Sequence, residues 1–118
     1  MTVYTLEIPR WHPTRLNQMK DHWSNGHRLK KADCEMVAHY ARPFPKPGQG
    51  DKRRVYLHII LNKGQRAGDP DSYQKSLLDA LVHAEMLWDD NRQHVELAPV
   101  TFSRDPKAWG SEITLEDL

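Results

Sequence analysis

Apolar and polar residues alternate as soon as the chain begins: across Thr2 to Ile8, Tyr4, Leu6 and Ile8 fall on one face and Val3, Thr5 and Glu7 on the other. A period of two marks a half-buried strand, and Pro9, which has no amide hydrogen to give, closes it. From Arg10 to Gly26 no period holds. Leu29, Ala32, Met36, Val37 and Tyr40 then recur near a helical spacing, which predicts a helix over Arg28 to Ala41 with Lys30 and Lys31 in its first turn. Arg42 to Gly50 alternates proline with other residues and ends in glycines, as an extended surface connection does. Arg53 to Leu61 is the strongest strand, with Val55, Leu57, Ile59 and Leu61 alternating with Tyr56, His58 and Ile60.

A basic, glycine-containing loop, Asn62 to Gly68, leads into a second helix that starts at Asp69-Pro70-Asp71 and runs to about Glu85. Its apolar face is Leu77, Leu78, Leu81, Val82 and Ala84. Either acid suits the cap, Pro70 suits the first turn, and Asp71 with Gln74 has the capping-box spacing. A strand from His94 to Ser103, a turn at Asp105-Pro106-Lys107 and a last strand from Ser111 to Leu115 complete the order β, α, β, α, β, β. That order predicts an α/β or α+β fold, with a mixed sheet and two main helices. A length of 118 residues agrees with a single domain over 1–118.

Composition adds the class: 38% hydrophobic and 28% charged residues suit a folded chain with a modest core. No stretch approaches the roughly 18 apolar residues of a membrane span, and the first residues lack the basic and apolar regions of a signal peptide. The expectation is a soluble cytoplasmic protein with no membrane partner. Cys34 is the only cysteine, which excludes an intrachain disulfide. The net charge of +1 conceals a division: residues 1–66 carry 13 Lys/Arg against 5 Asp/Glu, and residues 67–118 carry 4 against 11. Either a basic surface for a polyanion lies beside an acidic cluster, or folding intermixes the two halves.

Asp69 and Asp71 lie between the strongest strand and a helix, where two close carboxylates call for a positive partner. A hard divalent ion such as Mg²⁺ is one solution, and the orphan amides and dipole of the helix N-terminus are the other. Lys75 is four residues past Asp71 and Asp79 four further on, one helix face in all. This is either an exposed ion-pair ladder or a lysine held toward a phosphate. Asp89-Asp90 adds a second acidic pair after Met86-Leu87-Trp88.

Joined together, Gly68-Asp-Pro-Asp-Ser-Tyr-Gln-Lys75, Leu78-Asp-Ala-Leu81 and Leu87-Trp-Asp-Asp90 form a denser pattern. It resembles the RusA family of Holliday-junction resolvases, whose motif has an Asp-x-Asp-Asn pair, a Lys four residues after the second Asp, a following Asp-Ala-Leu, and an Asp-Asp pair before the next strand. The likeness is dense over about residues 66–96 and looser elsewhere, where it includes the N-terminal strand and Asn17 in the loop after it. It departs at Ser72, which stands where the family has Asn, and at Pro70 between the acids. The resemblance implies a homodimeric endodeoxyribonuclease that cuts four-way DNA junctions with Mg²⁺ or Mn²⁺, in recombination and repair. Carried across, Asp69, Asp71 and Asp90 are its metal-binding acids and Lys75 its essential lysine. Lys30, Lys31, Lys63 and Arg66 are candidates for contacts to the DNA backbone.

Chain length bears on this set. A helix from Ser72 to Glu85 is about 21 Å long, whereas the four residues from Met86 to Asp89 reach back only about 13 Å. Asp90 is therefore expected either to require an early helix end or to complete the site of a partner protomer. Other readings are a noncatalytic RusA-like DNA-binding protein and a nuclease for other branched or flapped DNA. A zinc site from His22, His27, Cys34 and His39 has the wrong spacing, and Cys34 and His39 point apart on a helix. Trp11, Trp23, Trp88 and Trp109 suit base stacking or, more commonly, a core.

Overall fold

The computed structural model describes residues 2–15 and 23–118, with side chains for all of these except residues 23–27 and 29. Five strands, β1 (Val3–Pro9), β2 (Arg53–Leu61), β3 (Val95–Leu97), β4 (Thr101–Arg104) and β5 (Gly110–Asp117), form one mixed sheet. The helices α1 (Trp23–Ala41) and α2 (Pro70–His83) complete an α+β fold. β5 lies between β1 and β2 and is antiparallel to both, while β3 and β4 run parallel to β2 along its other edge.

Alternation decides which face is covered. Leu6, Ile113 and Leu57 stand side by side across β1, β5 and β2, as do Ile8, Ser111 and Ile59, and all six are buried. Val37 and Ala41 of α1 and Tyr73, Leu77, Ala80 and Leu81 of α2 close this core, and Met86 and Leu87 seal it beyond α2. Full burial of each large aliphatic side chain contributes about 1.5–3 kcal/mol. The opposite face, with Thr5, Tyr56 and Glu7, is exposed.

Three elements differ from the expected ones. α1 starts at Trp23 rather than Arg28, because a nucleated helix propagates through poor formers such as Gly26. Its inward face is Asp33, Cys34, Val37 and Ala41, so Ala32, expected inside, is exposed. α2 ends at His83 rather than near Glu85. Glu85 takes a left-handed conformation with φ 62°, and the amides of Glu85 and Met86 bond back to the carbonyls of Val82 and Leu81. This is the closing pattern of a Schellman turn.

The expected strand from His94 to Ser103 is two short ones. Leu97 pairs with Val55 but Thr101 pairs with His58, so one extra residue is inserted around Pro99, which cannot donate to the ladder. A one-residue bulge inverts the alternation. Phe102 therefore turns toward the core, where its ring lies 6.1 Å from that of Tyr73.

Asp33 fastens the segment after β1 onto α1. Its carboxylate, on a residue only 3% exposed, accepts from Trp11 Nε1 at 3.1 Å and from the Thr14 amide at 2.9 Å. Burial pushes its pKa up from 3.8 despite these donors. The native state therefore holds the proton more tightly than the unfolded chain, so this group's contribution to stability falls as pH rises through the raised value. Asp33→Asn turns an amide N–H toward one of two donors and is expected to cost about 1–3 kcal/mol at neutral pH. Urea denaturation from pH 3.5 to 7 checks both points: the variant should show a lower midpoint at pH 7 and a gap that widens toward acid.

Candidate functional site

The acids of the motif follow directly from how β2 gives way to α2. After Leu61 the loop is tied by paired bonds, Asn62 N–H to Gln65 Oε1 at 3.0 Å and Gln65 N–H to the Asn62 carbonyl at 3.2 Å. Arg104 at the end of β4 donates to the carbonyls of Asn62 and Gln65. Gly68 then gives its amide hydrogen to the Tyr73 hydroxyl at 3.0 Å, and Asp69 caps α2. Asp69 Oδ1 accepts from the Asp71 amide at 3.2 Å, and Pro70 occupies the first turn, where no amide hydrogen is required. Of the two acids expected to suit the cap, Asp69 is the one that takes it.

Ser72, the departure from the family pattern, gives its hydroxyl to the Asp69 carbonyl at 2.6 Å. It thus reinforces the helix start. Asp69, Asp71 and Lys75 are all exposed around the first turns of α2. The ladder from Asp71 through Lys75 to Asp79 does not form: Asp79 pairs across to Lys30 of α1 at 3.4 Å, and among the described residues Lys75 has no ion pair.

Asp90 lies elsewhere. Its amide donates to Asp89 Oδ1 at 2.7 Å, and Asn91 Oδ1 accepts from Gln93 N and His94 Nδ1, which builds a turn that delivers the chain to Val95. Val95 pairs in parallel with Arg53 at the amino end of β2, whereas Asp69 follows the carboxyl end. The two ends of this nine-residue strand are about 26 Å apart. Among the described residues no three His, Cys, Asp or Glu side chains are grouped to hold a metal ion, so one chain does not assemble Asp69, Asp71 and Asp90 into a triad. The early end of α2 does not rescue it.

The two charge halves are intermixed. All five ion pairs between described residues join a cation from 1–66 to an acid from 67–118: Lys30–Asp79, Lys46–Glu85, Arg53–Asp117, Arg54–Glu96 and Arg54–Glu116. What folding leaves unpaired is therefore informative. Asp69, Asp71, Asp90, Lys31, Lys63, Arg66 and Lys75 are exposed and make no ion pair among the described residues; of the sequence candidates only Lys30 does.

The zinc alternative gains nothing. Cys34 is buried, which pushes its thiol pKa up and disfavours the thiolate that a metal needs, and His39 is exposed. His22, Asn17 and the side chains of His27 and Trp23 lie outside the described residues. Trp11 and Trp109 are half-buried, the first bonded to Asp33 and the second with its ring 5.3 Å from His12, while Trp88 is exposed.

Sequence reasoning missed Arg15 and Tyr73, which stand beside Gly68, and His12, which lines the same cleft as both. A Cβ on Gly68 would lie 2.7 Å from Arg15 Cδ and 3.0 Å from the Tyr73 hydroxyl. The available signal was weak: Tyr73 lies one helical turn before Leu77, on the inner face. No helix among the described residues is long and apolar enough to cross a membrane. No protein-family model matches the chain, and no curated protein is significantly similar to it.

Proposed function

We propose that the protein is a RusA-like endodeoxyribonuclease that resolves four-way DNA junctions by paired phosphodiester hydrolysis, dependent on Mg²⁺ or Mn²⁺ and acting as a homodimer. The observation that carries this reading is the exposed group of Asp69, Asp71 and Lys75 at the start of α2, none of them in an ion pair among the described residues. The motif between residues 66 and 96 supplies the family.

The donor set suits the metal. Two carboxylates are hard oxygen donors, and Mg²⁺ is commonly held by one or two carboxylates together with waters and substrate phosphates. Capping occupies Asp69 Oδ1 with the Asp71 amide, which leaves Oδ2 and the Asp71 carboxylate. When bound, such an ion would supply an activated water and offset the charge of the phosphate. Lys75, one turn beyond Asp71, would add a second positive charge where negative charge develops. Lys31, Lys63 and Arg66 would bear on the backbone, and Lys30 would do so while shared with Asp79.

The remaining acid argues for two protomers. A twofold dimer that sets the carboxyl end of one β2 beside the amino end of the other would bring Asp90 of the partner subunit to Asp69 and Asp71. Two such sites on one particle suit the two symmetry-related strands of a junction. The test is cleavage of a labelled synthetic four-way junction in Mg²⁺, Mn²⁺ and EDTA, with a linear duplex and a flap as controls. Paired nicks restricted to the junction and lost in EDTA are the expected result. Nicks on the flap alone would make the protein a nuclease for other branched DNA. Tight binding without nicks would make it a noncatalytic DNA-binding protein.

A further inference from the structure

Beside the acids, on the other side of Gly68, lies a cleft of about 360 Å³ lined by His12, Pro13, Arg15, Gln65, Arg66 and Tyr73. We propose that this cleft is a subsite for one backbone phosphate of a nucleic acid, held apart from the phosphate to be cut. The inference rests on the nuclease reading for the source of that phosphate, but the cleft itself is argued from its own chemistry.

None of the described residues that line it is an acid, and Arg66 is exposed, with a guanidinium that matches phosphate oxygens in a forked geometry. The walls are fixed. His12 Nε2 lies 2.9 Å from the Ile60 carbonyl, which can only accept, so the ring carries its hydrogen there. His12 Nδ1 therefore accepts from Gln65 Nε2 at 3.2 Å, and Gln65 Oε1 is taken by the Asn62 amide. One hydrogen of the Gln65 amide remains to be donated.

A second donor is stranded in the same way. The Tyr73 hydroxyl accepts from the Gly68 amide, so its own proton needs an acceptor, and among the described residues it has none. Tyr73 is only 3% exposed, so few solvent positions can provide one. Gly68 makes the convergence possible: both the Tyr73 hydroxyl and Arg15 Nη1 lie within 3.2 Å of the point where a Cβ would stand. A ligand that accepts several hydrogen bonds and carries negative charge suits the Arg66 guanidinium, the Gln65 amide and the Tyr73 hydroxyl together, and a phosphate oxyanion is such a ligand. Because Asp69 follows Gly68 directly, a phosphate here belongs to the strand that passes the acids.

The experiment has two arms. In the first, inorganic phosphate is titrated into the ¹⁵N-labelled protein and into Arg66→Gln and Gly68→Ala. Saturable shifts at the Gly68 and Gln65 amides and at the Arg66 Nε–H are expected in the wild type, and phosphate affinity read from the backbone amides of residues 65 and 68 should be weakened several-fold in both variants. Arg66 is exposed and makes no ion pair among the described residues, so its loss leaves the fold intact. In the second arm, a four-way junction is bound in Ca²⁺ over a series of salt concentrations. Arg66→Gln is expected to bind several-fold more weakly and with a salt slope reduced by about one phosphate contact.

Absence of saturable shifts in the cleft overturns the subsite. So does an unchanged slope in Arg66→Gln while the wild type still binds and nicks junctions, a result that leaves the nuclease reading standing. Phosphate bound in the cleft by a wild type that binds no junction overturns the nucleic-acid source together with the nuclease reading.

Discussion

Asp71→Asn is expected to lower junction nicking in Mg²⁺ by roughly a thousandfold, about 4 kcal/mol of transition-state stabilisation, while junction binding in Ca²⁺ changes only a few-fold. The substitution keeps the size of the side chain and removes one anionic oxygen from the pair that suits a divalent ion. Stability should barely change, because Asp69 and not Asp71 caps α2. Single-turnover cleavage and gel-shift binding measure the two quantities separately. Residual nicking within about tenfold of wild type would remove Asp71 from the metal site.

The same variant tests how the site is divided between protomers. Asp90→Asn alone is expected to be as inactive as Asp71→Asn. If each site draws Asp69 and Asp71 from one protomer and Asp90 from the other, a mixed dimer of the two variants contains one intact site. Co-refolded mixtures should then recover unpaired nicks on the junction. If all three acids served within one chain, both sites of the mixed dimer would be broken and the mixture would stay inactive. The separation of Asp90 from Asp69 along β2 is the reason for expecting recovery.

Arg53→Ala is expected to have the largest effect on stability. The Arg53 side chain is only 3% exposed and ties three segments together: Nε donates to Asp117 Oδ1 at 2.7 Å, Nη1 to the Met86 carbonyl at 2.9 Å and Nη2 to the Pro45 carbonyl at 3.0 Å. The guanidinium also lies 5.1 Å from the centre of the Tyr4 ring. Removing one partner of a buried pair typically costs about 3–5 kcal/mol. Because the Asp117 side chain is 37% exposed and its charge can be rehydrated, the lower figure, about 3 kcal/mol, is the one expected. That is a large share of the roughly 5–15 kcal/mol that holds a domain together. Asp117→Asn, which leaves both carbonyl bonds in place, should cost clearly less. Urea denaturation of the two variants decides it, and a loss below 1 kcal/mol for Arg53→Ala would mean that its carbonyl partners find other donors.

Arg53 also shows how far a linear pattern can be read. In the alternation of β2 it holds an inward position, one that a sequence pattern reserves for an apolar side chain. Asp33 is the same case on α1. Neither can be distinguished from a surface charge until the carbonyls, amides and rings that satisfy it are known, and those come from segments as far as 64 residues away.

The sequence by itself determined the elements whose information is local. Period-two alternation placed β1 and β2, and proline with acids at the start of a helix placed α2, because strand pleat and helix capping depend on residues a few positions apart. It also determined that Asp69, Asp71 and Lys75 share one end of α2. Only the tertiary structure decided the rest. The bulge at Pro99 is legible only against the strand it pairs with, and the pairing of Arg53 with Asp117 and of Arg54 with Glu116 depends on β5 lying beside β2. The parallel register of β3 on β2 set Asp90 at the far end from Asp69, and the packing of the segment after β1 against α2 made a cleft from residues 61 positions apart at the extremes, His12 and Tyr73. Such juxtapositions are fixed by burial of a shared core, a property of the whole chain that no window of neighbouring residues contains.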